Sequence, residues 1–290
     1  MTVREEHVND LKRRLKEVEA SAVPAFDPSG LEARKREELE FHDRDRRVDE
    51  GVLDVADEPV AANKKFYSTT RRSVDYVDDW LRRAVPEKVF LDYGCGNGDM
   101  AIKTARLGAT LAIGIDISGV SVENARRAAK AAGVDDRCVF LQADCENTGL
   151  PDGAIDVVLC SGMLHHVDLP RAFPELARIM KRGGRALGVE ALGYNPLIQL
   201  YRRMTPRLRT KWESEHILSM SDVRLARRFF SVRDVRHWHL FSIGAAVLRR
   251  GSRLQSTLLA VADALDSIVL RIPGVRLMSW QFTFEMVKRE

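Results

Sequence analysis

The segment Val89-Phe-Leu-Asp-Tyr-Gly-Cys-Gly-Asn-Gly98 constrains the fold more than any other stretch of this 290-residue chain. An apolar run of strand type leads directly into three alternating glycines, Gly94, Gly96 and Gly98, and a helix is predicted just beyond them. Glycines at such a place let the backbone turn sharply and approach a ligand more closely than side chains would allow. The chain that follows has the matching rhythm. Val89–Leu91, Leu111–Ile115, Cys138–Leu141, Asp156–Cys160 and Arg185–Glu190 read as strands, with helices near 98–107, 119–132 and 170–181 between them. Continuous apolar strands, each followed by a helix, indicate a parallel sheet covered on both faces. Gly133 and Gly183-Gly184 stand where helix C-termini favour glycine.

The first eighty residues read as charged helices separated by turns. One spans 3–20, with Val8, Leu11, Leu15 and Val18 at helical spacing, and a second runs from Leu31 to Arg47 after Asp27-Pro28-Ser29-Gly30. A third follows Ser68, carries Val74, Val77, Trp80 and Leu81 on one side, and ends before Pro86. These helices are too polar to form a core alone, so residues 1–85 are expected as a helical cover on a core at 86–192. Residues 193–290 are expected to add a helical insertion and the closing strands of the same sheet. Val232–Phe241 and Ser279–Val287 are strand-like, the latter alternating at Trp280, Phe282, Phe284 and Met286, and Leu254–Leu270 between them is an amphipathic helix.

Composition narrows the class of partner. At 45% hydrophobic and 30% charged the chain is not largely disordered, and a net charge of +4 is too mild to imply nucleic acid. The charge is uneven, however: residues 1–60 hold 11 basic and 17 acidic residues, and residues 195–260 hold 13 basic and 4 acidic. The second region either faces an anionic ligand or membrane or is a solvated basic surface. No apolar run reaches the ~18–20 residues of a membrane span, and the charged N-terminus lacks a signal-peptide core. Cys95, Cys138, Cys145 and Cys160 form no CxxC pair and no zinc-type cluster, and each reads as a buried free thiol. A reducing, cytoplasmic compartment and no metal site are expected.

Three acids follow the strands. Asp116 ends the second strand, 22 residues after Gly94, where a carboxylate can accept both hydroxyls of an adenosine ribose. Dinucleotide and adenosylmethionine binders share that geometry. Asp92 precedes the first glycine by two residues, a place poor for a pyrophosphate but good for a ligand bearing an ammonium and a sulfonium. Asp144 follows the third strand, where it can accept from an adenine amino group.

The ordered set Leu91-Asp-Tyr-Gly-Cys-Gly-Asn-Gly, Gly114-Ile-Asp-Ile-Ser, Ala143-Asp144 and Asp156-Val-Val-Leu-Cys-Ser-Gly-Met-Leu-His-His resembles the class I S-adenosylmethionine-dependent methyltransferases, over about residues 60–192. The resemblance implies an α/β, Rossmann-like fold: a seven-stranded, mostly parallel sheet with a reversed last strand and helices on both faces. It implies S-adenosyl-L-methionine as cofactor and S-adenosyl-L-homocysteine as product. Asp92, Gly94 and Gly96 would hold the methionine end, Asp116 the ribose, and Ile117 would lie against the adenine. Asp144 and Cys145 would border the adenine, with Ser161 beneath the cofactor. Asn63-Lys-Lys-Phe-Tyr-Ser resembles the segment that closes over the cofactor in relatives, which would place Phe66 and Tyr67 there.

Methyl transfer from a sulfonium is an in-line displacement, so alignment matters most, and a base is needed only for a neutral, protonated acceptor. Candidates stand at the C-terminal ends of strands four and five: His165, His166, Glu190 and Tyr194. Consecutive residues cannot both face one site, and His165 is favoured because the equivalent place in relatives with a Glu-His pair faces the substrate. Both histidines could instead be structural. Downstream, Arg202, Arg203, Arg207 and Arg209 could clamp a carboxylate or phosphate, with His216 beside Glu215 as an oriented base, or the segment is an exposed basic helix and loop. Cys160-Ser-Gly-Met stands where nucleobase or glutamine N-methyltransferases carry Asn-Pro-Pro-Tyr. The expected function is therefore O- or N-methylation of a small-molecule acceptor: a specialised metabolite, a sugar or a lipid-like molecule. The alternatives are a protein or lipid-headgroup methyltransferase docking through basic residues 202–211, a non-catalytic cofactor-binding scaffold that forms homo-oligomers through its N-terminal helices, and a dehydrogenase.

Overall fold

The computed structural model describes residues 3–21, 28–49, 68–247 and 253–290. The apolar runs form a seven-stranded sheet of order β3-β2-β1-β4-β5-β7-β6. β1 (Val89–Tyr93) lies between β2 (Leu111–Asp116) and β4 (Ile155–Ser161), with β3 (Cys138–Gln142) at one edge and β5 (Met180–Ala191) beyond β4, all parallel. β7 (Gln281–Lys288) runs antiparallel to both β5 and β6 (Phe230–Trp238), so it is the reversed strand. The doubly wound, mostly parallel sheet read from the sequence is the sheet that forms.

Strand residues alternate between the two faces, and each face builds its own core. Leu91, Tyr93 and Ile113 join one cluster, whereas Phe90, Ala112 and Phe140 join the other. Three helices cross over between the parallel strands: α4 (Asp99–Arg106), α5 (Gly119–Ala131) and α6 (Leu169–Ile179). The shorter α7 (Pro196–Met204), α8 (Lys211–Glu215) and α9 (Met220–Ala226) follow β5. Gly133, at φ 66°, follows α5 as expected. Gly183 and Gly184 do not end a helix: α6 already stops at Ile179, and both glycines lie in the first turn-like residues of β5. Phe282, Phe284 and Met286 of β7 are fully buried. All four cysteines are free and buried.

Packing is tight where β2 meets β3. A Cβ at Gly114 would stand 2.6 Å from Phe140 and 2.9 Å from the Cys95 sulfur. Gly114→Ala should therefore lower unfolding stability by about 1–3 kcal/mol, the usual cost of overpacking a filled core. Urea unfolding of the two proteins checks this, and an unchanged midpoint would refute it.

The N-terminal helices dock on this core. α1 (Val3–Ala20) buries Val8, Leu11 and Leu15 on the sheet, whereas Val18 stays 38% exposed. Its Glu19 accepts a hydrogen bond from the Phe140 amide at 2.7 Å, covering a free N–H of the edge strand β3. α3 (Arg71–Ala84) buries Tyr76, Val77, Trp80 and Leu81, but Val74 is 46% exposed. The Trp80 indole donates to Glu285 of β7 at 3.1 Å, so α3 is pinned to the reversed strand. α2 (Ala33–Asp49) lies over the C-terminal ends of the central strands, with consequences described next.

Candidate active site

Strand order reverses between β1 and β4, and ligands bind parallel sheets in the crevice outside such a point. The glycine turn lines that crevice. The Gly94 and Cys95 amides both donate to the Ile115 carbonyl, at 3.0 and 2.8 Å, which ties the turn to β2. Gly94 has φ 83°, and a Cβ there would meet Met163 at 2.8 Å, so only glycine is accommodated. Asp116 accepts from the Gly96 amide at 2.8 Å and the Ser118 amide at 2.9 Å. Each carboxylate oxygen keeps a further lone pair. Gly94, Gly96, Asp116, Ile117, Asp144, Cys145 and Ser161 all line one cleft.

Asp92 is placed differently. It is buried behind the turn and is not among the cleft-lining residues. Burial, reinforced by the nearby Asp116 and Asp99 charges, pushes its carboxyl up to about 8, against a hydrogen bond from the Ala101 amide. Tyr67 and Phe66 lie outside the described residues.

The second wall of the cleft is α2. Lys35 Nζ lies 2.5 Å from Asp144 Oδ2 and 2.8 Å from Glu146 Oε2, and Arg34 pairs with Glu146 at 2.5 Å. Burial works against the Lys35 charge, but the two carboxylates outweigh it and its pKa is raised. Glu38 accepts from His166 Nδ1 at 2.8 Å, and Asp43 accepts from the Ser118 hydroxyl at 2.5 Å. With α2 in place the cleft holds about 140 Å³, below the ~300–1,000 Å³ of ligand pockets. The Lys35 ammonium occupies Asp144 Oδ2. The glycine turn, Asp116 and Asp144 thus bring backbone clearance and carboxylate acceptors together in one cleft, with Lys35 paired to Asp144.

A larger cavity of about 550 Å³ adjoins this cleft, the two sharing Ser161 and Gly162. His165 enters it from the turn Leu164–His166 after β4. His165 Nδ1 meets Glu190 Oε2 at 2.6 Å, and the other Glu190 oxygen accepts from the Met163 and Leu164 amides at 2.9 and 2.7 Å. Glu190 is therefore fixed from three sides and in turn fixes the ring. Burial opposes protonation of His165, but the Glu190 charge and hydrogen bond prevail, and its pKa is raised above the ordinary 6.5. His165 Nε2 points toward Glu213 at 4.0 Å. Two arginines hold Glu213: Arg202 and Arg209 each approach its carboxylate at 3.5 Å. Arg209 Nε is buried without a hydrogen bond. The remaining wall is mostly apolar, with Val189, Leu197, Ile198, Tyr201, Ile243 and Trp280.

The other sequence candidates fall elsewhere. His166 turns to Glu38 and lines the smaller cleft, and burial together with neighbouring His165 lowers its pKa. His216 is exposed and stacks on Trp212 at 3.5 Å, lining neither cavity, because the ring folds back on the residue four positions earlier. Arg203 is exposed, and Tyr194, 39% exposed, accepts from the Met220 amide. Sequence reasoning passed over Lys35, Glu38, Glu213 and Trp280. No metal site was expected, yet His165, His166 and Glu213 present ligand atoms within 4.8 Å of one another. Both Nδ1 atoms already have carboxylate partners.

Residues 91–188 match the methyltransferase domain family. A stretch of 100 residues is 44% identical to the 27-O-demethylrifamycin SV methyltransferase of Amycolatopsis mediterranei, covering 34% of this chain and 37% of that protein. Another of 161 residues is 33% identical to the ribosomal protein L11 methyltransferase of Burkholderia cenocepacia, covering 52% of this chain and 47% of that protein. The chain thus spans less than half the length of these two curated relatives. The solved geranyl diphosphate C-methyltransferase of Streptomyces coelicolor, in complex with S-adenosyl-L-homocysteine, shares the fold with a TM-score of 0.55 at 18% identity, over 76% of this chain and 79% of that one. With its glycine turn, its acidic strand ends and its reversed seventh strand, the chain has the fold of the solved methyltransferase, and its residues 91–188 form a methyltransferase domain.

Proposed function

We propose that this methyltransferase acts on a small, largely apolar acceptor held in the 550 Å³ cavity, that the methylated atom is a hydroxyl oxygen, and that His165 is the base. The observation that carries this reading is the His165–Glu190 pair at the junction of the two cavities. Glu190 holds Nδ1 in its protonated form, which leaves Nε2 to take a proton from a group in the larger cavity. When bound, S-adenosylmethionine supplies an electrophilic methyl carbon. The rest of the task is alignment and removal of one proton. A hydroxyl needs that removal, whereas a neutral amine does not, so an oriented histidine–carboxylate pair favours oxygen. Arg202 and Arg209 line the same cavity. Both guanidinium groups turn inward to Glu213, which argues against a protein-docking role for these two residues.

The base reading has a definite pH signature. His165 acts only when neutral, and its pKa is raised, so kcat should climb with pH along a limb centred above 6.5. Glu190→Gln removes the charge responsible, so that limb should move to lower pH while kcat falls. In stability the same pair contributes below the unfolded value of 6.5, a contribution lost as pH rises through the raised folded value. The test uses cofactor carrying a labelled methyl group, with host extract separated into small-molecule, lipid, protein and nucleic-acid fractions. Label in the small-molecule or lipid fraction, with the shifted pH limb in Glu190→Gln, is the expected result. Label confined to protein would overturn it.

A further inference from the structure

The helix α10 (Arg253–Val269) is folded inside out. Its face toward the protein carries Gln255, Leu259, Asp263 and Asp266, all buried. The opposite face carries Leu254, Leu258, Val261, Leu265 and Ile268, continued by Ile272 just beyond the helix, each between 45% and 65% exposed. Alternating steps of four and three residues put the five helical residues on one line. The helix cannot roll to bury that line. Asp266 accepts from the amides of Leu240, Phe241 and Ser242 at 2.8–3.2 Å and from the Ser242 hydroxyl at 2.8 Å. Arg71 reaches the Asp263 carboxylate and Arg72 its backbone carbonyl. Polar anchors on the inner face thus hold the apolar line at the surface.

This apolar surface continues to the mouth of the larger cavity. α10 packs on the turn Ser242–Val247, whose Ile243 lines the cavity together with Leu197 of α7 (Pro196–Met204). Leu197 is also 74% exposed, and Leu200 and Met204 of the same helix are 54% and 73% exposed. Exposed arginines adjoin these apolar residues in the chain, Arg203 beside Met204, Arg253 beside Leu254 and Arg271 beside Ile272, with Arg207 three residues past Met204. A line of this spacing also suits a second helix. Two copies of one basic surface repel, however, and the apolar residues of α7 lie off that line. An anionic bilayer complements both the charge and the breadth of the patch. Among the described residues no helix is long and apolar enough to cross a membrane, so the contact is with its surface.

We propose that α10 and α7 dock this chain on an anionic membrane surface, and that the acceptor is an amphiphile drawn from that membrane into the adjoining cavity. The second half rests on the larger cavity being the acceptor site, whereas the docking does not. The test is co-sedimentation of the full chain with phosphatidylcholine vesicles, with and without phosphatidylglycerol. Binding should require phosphatidylglycerol and weaken as salt is raised. The double exchange Leu258→Glu and Leu265→Glu should cut that binding roughly tenfold or more, while its unchanged affinity for S-adenosylmethionine shows an intact fold. No binding to either vesicle would overturn the proposal. So would a wild-type dimer in ultracentrifugation that the double exchange splits, since a second copy would then cover the line. Failure to bind S-adenosylmethionine would strike the methyltransferase reading instead and leave the vesicle result standing.

Discussion

His165→Ala is expected to lower kcat by about 10²- to 10⁴-fold, the range supplied by a positioned acid or base, while affinity for S-adenosylmethionine stays within a factor of two or so. The separation of the two effects follows from placement. His165 lines the larger cavity and not the cofactor cleft, and its Nδ1 is committed to Glu190. Truncation leaves the Glu190 carboxylate buried with only the Met163 and Leu164 amides as partners, so some loss of stability is expected as well. His165→Gln guards against misreading that loss, because its amide can still donate to Glu190 but cannot act as a base near neutral pH. Both variants should be slow, and only the alanine variant should melt earlier. Wild-type turnover in either, measured by initial rates with labelled cofactor, would return His165 to a purely structural role.

Asp116→Ala should weaken S-adenosylmethionine binding by roughly 10²- to 10⁴-fold. Each hydrogen bond to a charged group is worth about 1.5–3 kcal/mol, and the ribose offers two hydroxyls. The same carboxylate anchors the Gly96 and Ser118 amides, so its loss also loosens the glycine turn. Asp116→Asn separates the two contributions: one oxygen remains for an amide, but the charge and the second acceptor are gone. Calorimetric titration should rank wild type above asparagine above alanine. Equal affinities across the three would mean that the ribose lies elsewhere.

Much of the cofactor cleft was legible because it is built from local signals. A strand, a turn that demands positive φ, and an acid at the next strand end all leave marks within a few residues of one another, and Gly94, Gly96, Asp116, Ile117, Asp144, Cys145 and Ser161 do converge. The contribution of α2 left no such mark. Lys35 and Glu38 are buried charges that find partners more than a hundred residues away, and hydrophobic periodicity does not register docking by ion pairs. The acceptor side divides in the same way. Glu190 and His165 stand at neighbouring strand ends and were both named, but their mutual contact depends on the register of β5 against β4. His216 looked oriented because Glu215 precedes it, yet adjacent residues on a short helix point apart, and the ring stacks on Trp212 instead.

The sequence by itself determined the fold class, the order of its strands and helices, the reversed last strand and the identity of the cofactor loop. The parallel sheet and the glycine turn follow from periodicity, glycine placement and charge at strand ends, all properties of short segments, whereas the reversed last strand and the cofactor were implied by the resemblance to class I methyltransferases. Only the tertiary structure decided which way amphipathic and basic elements face. The amphipathic pattern of α10 was evident from its residues, but its apolar side points outward because Asp266 on the other side binds three backbone amides that need a partner. Arg202 and Arg209 read either as a clamp for an anion or as part of an exposed basic helix and loop, and they turn inward because Glu213 lies within 3.5 Å of both. In each case a buried polar group must find its partner, and that requirement outweighs the side on which a helix carries its apolar residues.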